Sequence, residues 1–315
     1  MALPESPQQQ LEWEARQRPR AAIAAGAAAL LIFGGQLIRG SAFADAPRAD
    51  GLVALERLQA PGPVNGQPSL QVPVAQYLDD RMLGFLLPSL AEGIGYFCLA
   101  YALTFLAAAT RFRRSQLPKI AMYLPAIGGV LMGAVSIAGA VGRITDVNTF
   151  LDGEQTVEAA QDIGYGTISV AAQVLYLPAA LAVATAYVLV GLNAMRAGLL
   201  TRFMGILAVI TGTLVIIQLG PFPVVQTFWL VAFALLLTGR RPGGDPPAWR
   251  TGREEPWPSQ QELAAQRRKA AEARRGQTAE PAEPAEPAAD ETDAPQPVAA
   301  GPHPAASRKR RKRRR

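Results

Sequence analysis

Residues 203–239 run for 37 positions without a charged side chain. As one helix they would reach about 55 Å, nearly twice the roughly 30 Å hydrocarbon core of a bilayer. Gly220-Pro221-Phe222-Pro223 lies near the middle of the run, and two prolines with a glycine in four residues are a turn signal. The run therefore reads as two short membrane spans, 203–219 and 222–239, joined by a tight turn.

Uncharged runs of span length recur upstream. Residues 21–38 lie between Arg20 and Arg39, and 120–142 lie between Lys119 and Arg143. Residues 93–110 extend back to Met82 if Glu92 is admitted, and 163–195 are long enough for a span with an approach segment. The predicted spans are 21–38, 86–110, 120–142, 171–193, 203–219 and 222–239. The expected fold class is an all-α membrane protein, a six-helix transmembrane bundle with a disordered cytoplasmic tail.

Orientation follows from Lys and Arg in the short connections. Arg16, Arg18 and Arg20 precede span one, Arg111, Arg113, Arg114 and Lys119 follow span two, Arg196 and Arg202 follow span four, and Arg240-Arg241 follow span six. Residues 143–162 hold Arg143 against five acidic residues. This alternation predicts a membrane protein with both termini cytoplasmic: segment 1–20 inside, body 21–239, and loop 40–81 outside. A competing expectation is a cleaved secretory signal, because a basic start and an apolar core lead to Ala42-Phe43-Ala44. The length of the apolar run and Arg39 after it favour a retained span.

Net charge separates the body from the tail. Residues 240–315 carry 17 Lys/Arg against 11 Asp/Glu, whereas residues 1–239 carry 14 of each. In loop 40–81, residues 50–59 suggest a short helix ahead of Pro61-Gly62-Pro63. The tail, 240–315, is low in complexity. Ser259-Gln260-Gln261-Glu262 has the form of a capping box, which predicts a helix at about 260–275. Ala-Glu-Pro repeats over 279–287 are too poor in apolar surface to offset the entropy of ordering.

The chain ends in Arg308, Lys309, Arg310, Arg311, Lys312, Arg313, Arg314 and Arg315. Such a run suits anionic lipid headgroups, at about 1 kcal/mol per residue near the surface. Non-specific nucleic-acid binding is the other partner class it allows.

Within the spans, Glu92 is the one acidic residue in an apolar stretch, and a carboxylate there normally faces a bundle interior or a water cavity. It could serve a proton- or cation-linked site with Gln173, or it could sit at the outer interface. Gly129 and Gly133, followed by Ser136 and Ala140, form a small-residue face that lets helices approach closely. There is one cysteine, Cys98, and one histidine, His303. They offer neither an internal disulfide, a metal cluster nor a histidine triad. No phosphate loop or nucleophile elbow is present, so neither a cofactor nor enzymatic activity is expected.

Gly198-Leu199-Leu200-Thr201-Arg202, with Gly205 in the next span, resembles the basic turn in an uncharacterised bacterial six-helix multi-pass family that carries a domain of unknown function. The order of one span, a long external loop and five further spans is also similar. The likeness implies the fold alone and supplies no functional residues. The resulting expectation is a non-enzymatic structural or regulatory membrane unit. The alternative is a small proton- or cation-linked transporter using Glu92, though no internal repeat between 21–142 and 163–239 supports it.

Overall fold

The computed structural model describes residues 6–48, 51, 53–55, 66–217, 223–239, 246–255, 264–265 and 268–272. The chain divides into two units, Met1–Pro258 and Ser259–Arg315. In the second unit the described positions, 264–265 and 268–272, are helical. The basic run Arg308–Arg315 lies outside the described residues, as do the Ala-Glu-Pro repeats and positions 218–222 of the Gly-Pro turn. Of the short helix expected at 50–59, positions 51 and 53–55 are helical and the others lie outside the described set.

The first unit is built from helices. They are α1 (Pro7–Ala42), α2 (Val72–Asp80), α3 (Met82–Arg113), α4 (Ile120–Asp152), α5 (Val157–Gln161), α6 (Thr167–Arg196), α7 (Arg202–Ile217), α8 (Val224–Leu237) and α9 (Pro247–Thr251). By length and composition α1, α3, α4 and α6 can cross a membrane, while α7 and α8 are shorter apolar helices. Each of the six apolar runs is thus helical. Two boundaries differ from the sequence reading by ten residues or more. Span one is the second half of a helix that starts at Pro7, where the Ser6 hydroxyl accepts from the Gln9 amide and Pro7 occupies the first turn. Span three continues ten residues past 142, to Asp152.

Consecutive apolar helices pack in a closed ring, α1–α3–α4–α6–α7–α8 and back to α1, with α3 also touching α6 across it. Small residues permit these approaches. A Cβ on Gly129 would lie 2.6 Å from the Ala100 Cβ and 2.9 Å from the Tyr96 carbonyl oxygen, and one on Gly133 would lie 2.7 Å from the Gly93 carbonyl oxygen. Both glycines therefore face α3. Gly128, one position along, faces α6, where its Cβ would be 2.7 Å from the Val183 nitrogen. Helix α4 is wedged backbone-close between two neighbours. The outward surfaces stay apolar, with Leu30, Leu87, Ile127, Val174 and Ile206 all exposed, as a lipid-facing surface requires.

The two ends of the ring are filled differently. At the end where α6 stops and α7 begins, Tyr187, Trp229, Phe233, Leu199, Leu200 and Leu236 are fully buried. At the opposite end, α2 and α5 form a small cap over α4, centred on Ala75, Val147 and Phe150. Backbone bonds from Ser69 N to Gln155 O (2.9 Å) and from Val157 N to Gln67 O (2.9 Å) tie the segments before these short helices together.

Residues 247–255 are not tail. The sequence reading assigned everything from Arg240 onward to a low-complexity segment, yet α9 docks onto the body. Trp249 stacks on Phe105, with ring centroids 6.0 Å apart, and its indole N–H donates to the Leu199 carbonyl at 3.0 Å. The Glu255 amide donates to the Ala197 carbonyl at 3.3 Å. Gly198 makes the contact possible. Its φ is +81°, and a Cβ there would lie 1.9 Å from the Glu255 carbonyl oxygen. The Gly198–Arg202 turn is thus a platform for the segment that follows the last span.

Candidate functional site: a polar cavity and two ion pairs

Glu92 lies on α3, one turn beyond Pro88, on the face that meets α1. Its residue exposure is 8%. On α1, Gln36 and Arg39 are three residues apart and therefore share a face; on α3, Ser89 and Glu92 do the same. The two faces interlock. Gln36 Nε2 donates to Glu92 Oε1 at 3.0 Å, and Arg39 Nη2 donates to Glu92 Oε2 at 2.8 Å and to Ser89 Oγ at 3.0 Å. Ser89 passes its own proton to the Phe85 carbonyl at 2.9 Å. Both oxygens of Glu92 are engaged, and its charge is opposed by a guanidinium.

This network forms part of the wall of a cavity of about 1210 Å³ at the capped end of the ring. Every helix of the ring contributes. Tyr96 and Met132 lie toward the middle of the ring helices; Arg143, Ser169 and Tyr165 lie nearer the mouth; Thr211 and Gln226 come from α7 and α8. These two helices are short, 16 and 14 residues.

Glu92 and Gln173 line the same cavity. Among the described residues no hydrogen bond joins them: Gln173 Nε2 instead donates to the Gly164 carbonyl at 2.8 Å, at the entry to α6. Gly129 and Gly133 serve the α3–α4 contact and are not part of the cavity lining.

The sequence reading missed Arg39 as the partner of Glu92, and Arg143 as a cavity residue. Each had been read only as a charge flanking a span. Asp146, one turn after Arg143, accepts from the Gly164 amide at 3.0 Å and from Ser169 Oγ at 2.6 Å. It therefore clamps the start of α6.

A second ion pair lies at the opposite end and was not anticipated. Glu14 on α1 and Arg113 on α3 form a bidentate pair with side-chain exposures of 3% and 0%. Gln10 Nε2 adds a bond to the carboxylate at 2.9 Å. Arg113 also donates to the Ala109 carbonyl at 3.0 Å and to the Ala248 carbonyl at 2.8 Å. The Trp249 ring lies against two guanidinium groups, Arg18 at 4.9 Å and Arg113 at 5.4 Å. This pair fastens α1, α3 and α9 to one another.

The cavity supplies charged and hydrogen-bonding groups for binding. Among the described residues no group of three or more His, Cys, Asp or Glu gathers as metal ligands. No protein family, curated protein or solved structure matches the chain.

Proposed function

We propose that the chain is a six-span protein of a bacterial cytoplasmic membrane, with both termini cytoplasmic, and that its bundle is a non-enzymatic regulatory unit that receives a small molecule from outside. The observation that carries this reading is the asymmetry of the ring. A polar cavity opens at the capped end, while buried aromatic and aliphatic side chains fill the other. The alternation of basic and acidic connections puts the cavity end outside. Helices α7 and α8 are about 24 and 21 Å long at 1.5 Å per residue, so they cross where the bilayer thins locally. Helix α1 forms a wall of the ring against α3 and α8, which favours retention of residues 1–44 over cleavage.

The likeness of the Gly198–Arg202 turn to an uncharacterised multi-pass family agrees with this architecture and adds no activity. The tail is the cytoplasmic contact, its basic end meeting anionic lipids and, non-specifically, nucleic acid. A second reading is a proton- or cation-linked carrier, favoured by one observation: the cavity reaches Glu92. The pairing of Glu92 with Arg39 counts against it, because that carboxylate already has its counter-ion.

Topology is the first test. In a Cys98→Ala background, Glu154→Cys reacts with an impermeant maleimide added to intact cells, and Ser115→Cys reacts only after permeabilisation. Both original residues are exposed. Labelling of both from one side contradicts the six-span arrangement.

A further inference from the structure

We infer that the cavity is a binding site for an organic anion, whose carboxylate or phosphate head is held by Arg39 and Arg143 while its apolar body lies against Met132, Val135 and Leu214. This deepens the reading above and rests on it.

The argument begins with donor capacity. A guanidinium carries five N–H groups. Arg39 spends Nη2 on Ser89 and Glu92, and no described protein acceptor reaches Nη1. Its Nε is buried without a partner. The side chain keeps 28% of its surface open. Ser89 and Glu92 therefore hold the guanidinium through Nη2, with Gln36 fixing the carboxylate, while the Nη1 hydrogens remain to donate to an oxygen of a carboxylate or a phosphate.

Free donors at Arg143 point the same way. Among the described residues the lining contains two arginines, Arg39 and Arg143, and one carboxylate, Glu92. Glu92 is consumed by Arg39. Arg143 is exposed and makes no ion pair or hydrogen bond among the described residues. Asp146, its nearest acidic neighbour on α4, is engaged with Gly164 and Ser169. Arg143 thus brings a guanidinium with no bound acceptor to a concave site with low-dielectric walls, where attraction for an anion is stronger than in open water.

Size bears on the rest of the ligand. Small-molecule pockets usually run to about 300–1,000 Å³, and this cavity is larger. A bare inorganic ion would leave most of it wet and would ignore the apolar wall. Two sources have the required chemistry, an acyl-chain anion from the bilayer and a soluble organic acid.

The test uses the full chain purified in a non-ionic detergent and native mass spectrometry. The probes are decanoate, decyl phosphate, decyltrimethylammonium and benzoate. One decanoate or decyl phosphate is expected per chain, and no decyltrimethylammonium. Arg143→Gln should bind about tenfold to hundredfold more weakly, the loss of a charge-assisted contact, with an unchanged thermal midpoint because Arg143 holds no partner. Arg39→Lys keeps a cation beside Glu92 but loses the Nη1 donors, and should also weaken binding. Benzoate bound as tightly as decanoate would identify a soluble ligand; binding of the decyl anions alone would identify a membrane ligand. Equal retention of the cationic probe, or anion binding untouched by both arginine variants, overturns the inference. If labelling at 115 and 154 holds while no anion binds, the inference fails alone; if the labelling fails, both readings fall.

Discussion

Glu14→Ala lowers stability by about 3–5 kcal/mol, the usual cost of removing one member of a buried ion pair. The cost comes from what is left behind. Arg113 is fully buried on its side chain and would keep its charge without the carboxylate that holds it. Arg113→Met should cost a similar amount, because it strands Glu14. The double variant Glu14→Ala with Arg113→Met should recover much of the loss, since it leaves no unpaired charge to desolvate. Unfolding of the purified protein in detergent, followed by heat or by SDS titration, measures all three. A double variant as unstable as the sum of the singles would show that the two residues act independently, against the contact described.

Trp249→Ala costs about 3–5 kcal/mol, the range for truncating a large buried aromatic, and also frees a segment. Trp249 is 5% exposed and anchors α9 through Phe105, the Leu199 carbonyl and two guanidinium groups. Without it, the remaining ties of 247–255 include the buried Ala248, the Arg113 and Glu255 backbone contacts and the Arg114–Glu254 pair. Limited trypsin digestion reads the release directly. Cleavage after Arg250 and Arg253 should be slow in the parent protein and fast in Trp249→Ala. Equal rates in both would mean that α9 is not held by its tryptophan.

The sequence was most informative where solvent preference decides structure. Uncharged runs marked each of the six apolar helices of the ring because a helix facing lipid tolerates few charges. The Gly129 and Gly133 spacing anticipated a close helix contact because a missing side chain leaves a one-dimensional trace. The pairing of Arg39 with Glu92 was not legible for a physical reason. Flanking arginines were read as loop charges, whereas depth along two antiparallel helices sets whether a terminal arginine can reach a neighbour. Helix α1 runs to Ala42 antiparallel to α3, so Arg39 stands level with the first third of α3.

The same limit hid Glu14 and Arg113, which are 99 residues apart in sequence. Residues 247–255 were misassigned because proline and glycine on either side made them resemble linker. Trp249 was the available signal, since a tryptophan beside a basic membrane boundary usually finds a partner for its indole N–H. Gly198 was the other: a glycine just after a helix often adopts positive φ, though what would press against it could not be read.

Access to the cavity tests the central claim most directly. Ser136 is half-buried, lies on α4 and lines the cavity. Ser136→Cys in the Cys98→Ala background should react with a membrane-impermeant methanethiosulfonate added outside intact cells. In inside-out vesicles, where the same reagent meets only the cytoplasmic face, it should stay unmodified. Modification from the cytoplasmic face would contradict a cavity sealed at that end, whether access is through an open path or through alternation between the two sides.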